Sequence, residues 1–201
     1  MYSKRQLHIF KGKQVQFDTE TVGKYTFTSI DTLDDQRKMR KFFSQYYDDV
    51  APDVFPTDDF APFFNTLGIK VSDLAGNIVG GLLSCAPPVL AEEAFRTNAD
   101  GNAMKRIKRL TFLDLFSIAN DDAELYSLLI DVYEQTSIAN EIKSIIGFVD
   151  PFSQLASKLR AHNFVVLNPH EPAPSLQGIS WELPPSMDKN NTVWFYKNLK
   201  K

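Results

Sequence analysis

Between Arg109 and Val149 the apolar residues change their spacing twice. LTFLDLFSIA, ending at Ala119, is a strand-like run of bulky residues. Leu125, Leu128, Leu129, Val132 and Tyr133 then recur at helical spacing on one face, and Ile142 to Val149 is almost continuously apolar. A helix with a single apolar face needs a surface to cover, and a short run without alternation reads as a strand covered on both faces. Strand, helix and strand in immediate succession predict a layered α/β domain and exclude a helical bundle or a β-sandwich.

The remaining segments fit the same class. Tyr25 to Ile30 reads as a strand, and Thr32 as the cap of a helix with Met39, Phe42, Phe43 and Tyr46 on its buried face and Asp35 at the third position. A second short helix is expected from Thr57, with Phe60, Phe63, Phe64 and Leu67 as its stripe. Gly68 to Ala86 is a hairpin turning at Ala75-Gly76-Asn77, where glycine and asparagine accept positive φ. Pro87-Pro88 ends it, and an excursion through Asn98 to Asn102 precedes the strand Arg109 to Ala119. Asp150-Pro151 is expected as cap and first residue of a helix carrying Phe152, Leu155, Ala156 and Leu159. Strands follow over Phe164 to Leu167, Ile179 to Leu183 and Thr192 to Leu199. Residues 1–24 read as an extended arm or hairpin and 25–201 as one mixed-sheet α/β domain without internal repeats.

Bulk properties narrow the function classes. The chain has 201 residues, 43% apolar and including 16 phenylalanines, ample for one core without metal or disulfide support. The single cysteine, Cys85, forms no internal disulfide, which fits a reducing compartment. The N-terminal MYSKRQLHIFKGKQVQF carries no signal-like apolar stretch and no segment reaches the length of a membrane span. A cytoplasmic protein, or one within an intracellularly assembled particle, is expected. With 22 basic and 25 acidic side chains the net charge is −3, which argues against nucleic acid and anionic membrane partners. The basic run Lys105, Arg106, Lys108 and Arg109 lacks aromatic interleaving and reads as solvated surface. His8, His162 and His170 are too scattered to predict a metal site.

The element order resembles the GNAT N-acetyltransferase superfamily over roughly Tyr25 to Leu199, most closely in the GNIVGGLL hairpin, the series from Leu110 to Leu167 and the terminal VWFYKNL. The resemblance implies that the strand Leu110 to Ala119 parts from Ile142 to Val149, and that acetyl-CoA would bind in the resulting V. The family's signature, a Q/R-x-x-G-x-G/A turn whose amides hold the pyrophosphate, is replaced here by Asn120-Asp121-Asp122-Ala123-Glu124. The tyrosine and asparagine expected near Leu159 and Phe152 are also missing. Asp121 and Asp122 read as internal anions that occupy the positive end of the following helix.

Asp114 shares a face with Leu110, Phe112, Phe116 and Ile118 if the strand alternates throughout. Burial there would raise its pKa and suit it to act as general base toward an amine; the alternative is a partly exposed carboxylate or one paired with Arg109. Ser117 and Thr111 fall on the opposite face, and Ser117, Ile118 and Ala119 are the candidate cofactor-contacting positions. Cys85 reads as a small buried hydrophobe. Two readings follow. One is a scaffold or interaction component of a larger assembly, for example a virion, with a degenerate acyl-CoA site and a protein partner or second copy. The other is an acyl-CoA-dependent N-acyltransferase acting on an amine, with acetyl-CoA as cofactor.

Overall fold

Eight strands and three helices make up the regular structure of the described residues, 17–47, 66–86, 105–106, 108–172, 175–176 and 191–199 of a computed structural model. The strands are β1 (Glu20–Val22), β2 (Tyr25–Ser29), β3 (Leu67–Ser72), β4 (Ile78–Cys85), β5 (Leu110–Ile118), β6 (Ser144–Val149), β7 (Val165–Val166) and β8 (Val193–Asn198). The helices are α1 (Leu33–Phe43), α2 (Ala123–Ala139) and α3 (Gln154–Ala161). One sheet runs β1-β2-β3-β4-β5-β6-β8-β7, antiparallel at every pairing except β5 with β6. Glu20–Val22, in the expected arm, pairs with β2. Leu67, expected at the end of the helix from Thr57, instead opens β3 opposite Ser84, because its run continues into the alternating strand; the rest of that helix, the strand Ile179 to Leu183 and the segments 1–16 and 87–104 lie outside the described residues.

The sheet is covered on both sides, as the apolar β6 requires. On one side Leu125, Leu129 and Tyr133 of α2 and Ala156 and Leu159 of α3 pack on Phe27, Ile69, Leu82, Leu113, Ile145 and Phe195. On the other, Met39, Phe42 and Phe43 of α1 pack on Leu83 and Leu115. Helix α1 begins as expected: Thr32 Oγ1 accepts from the Asp35 N–H at 3.1 Å. It ends at Phe43, so Tyr46 lies beyond the helix and is 45% exposed rather than part of the buried stripe. Gly76 takes φ 83° at the β3–β4 turn. The Asp73 carboxylate, unremarked in the sequence, closes that turn by accepting from the N–H groups of Ala75 and Asn77 at 2.9 and 2.8 Å.

The start of α3 differs from expectation. Ser153, not Asp150, is its cap, accepting from the Ala156 N–H at 3.2 Å. Asp150 instead accepts from the Phe152 N–H at 2.9 Å, so Pro151 and Phe152 form a turn ahead of the helix. Phe152 is therefore 83% exposed. At the far end of β6 the sheet is tied to α2, where Lys197 Nζ meets Glu134 Oε1 at 2.5 Å and also donates to the His162 carbonyl.

Gly147 sits where β6 crowds β5. A Cβ there would lie 2.5 Å from Phe195 Cζ and 2.9 Å from the Leu113 carbonyl oxygen, and a backbone atom cannot swing away. Gly147→Ala is expected to lower stability by about 1–3 kcal/mol, read as a reduced urea midpoint with unchanged slope.

Candidate functional site

Two strands that should stay paired come apart at one point. Leu110, Thr111, Phe112 and Leu113 of β5 pair in parallel with Ser144 to Gly147, and there the pairing ends. At the same point β5 carries a bulge: Leu113 faces Ser84 and Leu115 faces Leu83 on β4, leaving Asp114 without a partner. An extra residue bends its strand and increases the local twist, so the second half of β5 swings away from β6. The bulge also inverts the alternation assumed from the sequence. Thr111, Leu113, Phe116 and Ile118 face α2, whereas Phe112 rests against Phe148 and Leu115 against α1.

The chain leaves β5 through a 3-10 turn, Ala119–Asp121, with φ 58° at Asn120 and 48° at Asp121. Asparagine and aspartate tolerate this left-handed region better than other side chains, so the turn closes without glycine. Asp122 then caps α2: one carboxylate oxygen accepts from the N–H groups of Glu124 and Leu125 at 3.0 and 3.2 Å. The other accepts from the Tyr25 hydroxyl and lies 3.6 Å from Lys24 Nζ. The Tyr25 hydrogen bond is the largest cause holding the Asp122 carboxyl below its ordinary pKa, with Lys24 and the two N–H groups adding to it against partial desolvation. Asp122 is thus the internal anion expected at this helix end. The Asp121 carboxylate instead accepts from the Tyr126 hydroxyl at 3.5 Å, and its carbonyl accepts from Gln154 Nε2 at 3.3 Å.

Between the parted strands lies a cleft of ≈430 Å³. Phe116, Ser117 and Ile118 of β5, Phe148 and Val149 of β6, and Asp121, Tyr126, Asp150, Ser153 and Leu155 line it, with Tyr46 and Tyr47 beyond α1. No lysine, arginine or histidine is among these lining residues. The Tyr47 hydroxyl accepts from the Phe116 N–H at 3.1 Å and donates to the Phe116 carbonyl at 2.8 Å. It thereby takes over both backbone groups of a β5 residue beyond the end of β6 pairing. Nothing in the local sequence marked Tyr47, because its partner is separated from it by the whole β3–β4 hairpin.

Of the four candidate positions, Ser117 and Ile118 line the cleft while Asp114 and Ala119 do not. Ala119 packs against the α1 cluster. Asp114 is exposed, the only such residue in β5, yet surrounding protein displaces enough water from its carboxyl to raise its pKa. Its charge acts on Cys85, whose thiol is pushed up to about 12 chiefly by burial and further by Asp114. A thiol so protonated is no nucleophile at neutral pH. Among the described residues no group of three His, Cys, Asp or Glu could hold a metal ion. No described helix is long and apolar enough to cross a membrane.

The sheet is thus split between its two central parallel strands, β5 and β6, with α2 beginning just after β5. Solved structures identify the fold as that of the GNAT N-acetyltransferases. An N-acetyltransferase from Staphylococcus aureus Mu50 superposes with a TM-score of 0.57 at 11% identity, over 88% of this chain and 99% of that one. The GNAT domain of S. lividans PAT gives 0.56 at 12% identity, over 88% and 92%. A ribosomal-protein alanine N-acetyltransferase from Escherichia coli gives 0.55 at 7% identity, over 88% and 95%. No protein-family model matches the sequence, and no curated protein matches it.

Because its folded pKa is depressed, Asp122 contributes stability that is complete above the unfolded carboxylate value of about 4. That contribution is lost as the pH falls through the lower folded value. Asp122→Asn keeps a capping oxygen but removes the charge. The melting temperature of the variant is expected to fall less steeply below pH 5 than that of the parent; identical acid profiles would remove the carboxylate from this role.

Proposed function

We propose that this chain is a GNAT-fold binding or structural component, acting through protein contacts in a larger assembly such as a virion or another multiprotein particle, with a fork that does not take acyl-CoA. One observation carries the reading: the Asp122 carboxylate already sits on the N–H groups of Glu124 and Leu125. A pyrophosphate at that helix end would have to displace a fixed anion that is bound to Tyr25 as well. The lack of a basic side chain among the described cleft residues acts in the same direction. A protein partner or a second copy of the chain, in the cytoplasm or an intracellularly assembled particle, accords with the near-neutral charge balance and lone cysteine.

Thermal unfolding with acetyl-CoA and free CoA tests this reading. No shift is expected at millimolar ligand. A bound cofactor at a hundred times its Kd would add ~2.7 kcal/mol, which raises Tm by roughly 5–10 °C for a domain of this size, and such a shift would overturn the proposal. Asp122→Gly, which uncovers the two amides, is expected to gain CoA-dependent stabilisation that the parent lacks.

The parted strands themselves favour a second reading, an acyl-CoA-dependent N-acyltransferase. Its base would be Asp114, the raised carboxyl at the fork, reached from the side away from the cleft lining. If acyl transfer to an amine is detected, Asp114→Asn is expected to lower kcat by roughly 10²–10⁴-fold, and an unchanged kcat would eliminate that role.

A further inference from the structure

The end of the sheet opposite the fork joins three separate stretches of the chain. The turn ahead of β5 closes with the Arg109 N–H donating to the Arg106 carbonyl at 3.0 Å. The Arg109 carbonyl accepts from the N–H groups of Lys143 and Ser144 at 2.7 and 3.1 Å, which fixes the start of β6 beside it. The Lys143 carbonyl accepts in turn from the Leu199 N–H at 2.8 Å, which adds the end of β8. Lys200 and Lys201 follow Leu199 directly in the sequence. The run Lys105, Arg106, Lys108 and Arg109 is therefore one part of a larger patch, to which the fold adds Lys143 from β6's approach.

These cations are not consumed within the fold. Lys105, Lys108 and Arg109 are exposed and Lys143 is partly exposed. None of the four has an ion-pair partner among the described residues. Helix α2 ends at this end of the sheet, where cations commonly complement the last carbonyls. Those carbonyls are already occupied: Thr136 by the Asn140 N–H and side-chain amide, Ser137 by the Ile142 N–H, and Ile138 by the Glu141 N–H. Lys197, by contrast, is engaged with Glu134 and the His162 carbonyl. Glu141 is the one acidic residue in the stretches 105–109, 140–144 and 197–201, so this end is locally positive in a chain of net charge −3.

The chemistry around the patch selects among anionic partners. Single-stranded nucleic acid is held by a basic groove together with aromatic side chains on which bases stack. The large exposed aromatics among the described residues are at the other end: Tyr46 lines the cleft and Phe152 lies between the cleft-lining Asp150 and Ser153. A net negative chain also repels a long polyanion at a distance. Carboxylates spaced along a short segment need neither stacking nor a groove: arginine meets them with a planar fork and lysine with a mobile point charge. We infer that the sheet end formed by Arg109, Lys143 and Leu199 is a docking surface for an acidic polypeptide segment, whose carboxylates meet Lys105, Lys108, Arg109 and Lys143. This surface lies away from the fork and is independent of whether the fork takes acyl-CoA.

The full chain is titrated at low salt into a fluorescently labelled alternating Asp-Glu peptide, its Asn-Gln counterpart and an oligothymidylate of equal charge, followed by anisotropy. Saturable binding of the Asp-Glu peptide is expected, weakening steeply as salt is added. Arg109→Gln and Lys143→Gln are each expected to weaken it roughly twofold to fivefold, with urea midpoints unchanged because neither side chain is ion-paired within the fold. Lys24→Gln, an equal change in charge beside Asp122 at the fork end, is expected to leave binding unmoved. No saturation by the Asp-Glu peptide, or equal binding of the Asn-Gln peptide, overturns the inference. Equal losses from Lys24→Gln and Lys143→Gln overturn the place assigned to the surface. Oligothymidylate binding as tightly as the acidic peptide overturns the choice of partner in favour of nucleic acid.

Discussion

The parting of β5 from β6 just beyond Leu113 and Gly147 is the constraint on which the rest of the site depends. Sheet hydrogen bonding makes strands stay together unless something offsets its loss. Here Asp114 adds a residue that bends β5, and Gly147 lets the two backbones approach closely just before they separate. Beyond the fork, backbone groups facing the gap need partners, and Tyr47 supplies both for Phe116 with one hydroxyl. The cleft is therefore a built feature, held open by a bulge at its apex and a tyrosine along its wall.

The charge at the start of α2 comes from within the chain. A helix N-terminus pointed at a split sheet offers amides and a positive dipole end to an anion. Asp122 fills that position from within the chain and is itself fixed by Tyr25 on β2. The fold shared with the N-acetyltransferase structures is retained, and the first amides of α2 are bonded to Asp122. Turn closure by Asn120 and Asp121 in left-handed conformations shows the same economy of means: the backbone path survives without the glycines that would let a ligand approach it.

With backbone donors satisfied, the recognition left in the fork belongs to side chains. Ser117, Asp121 and Asp150 line the cleft together with Phe116, Tyr126 and Phe148. Asp114, the more conspicuous residue in the sequence, lies on the other side of the strand, next to Cys85. A one-residue bulge exchanged their places.

Local pattern was enough to specify the layered α/β class, the Thr32 cap, the hairpin across Gly76 and the anionic role at the start of α2. Each depends on residues close in the chain, where spacing maps directly onto a face or a cap. Two misreadings share a cause. The alternation through Asp114 and the cap at Asp150 both assumed an uninterrupted period, and neither a bulge nor a turn inserted before a helix leaves a trace in apolar spacing. Tyr47 on Phe116, Tyr25 on Asp122 and the lining of the cleft joined residues far apart in sequence. The chain alone determined which elements form, because periodicity and capping are local; the tertiary structure alone decided which polar groups remain open, because satisfaction of a buried donor or acceptor depends on partners that only the packed fold brings within reach.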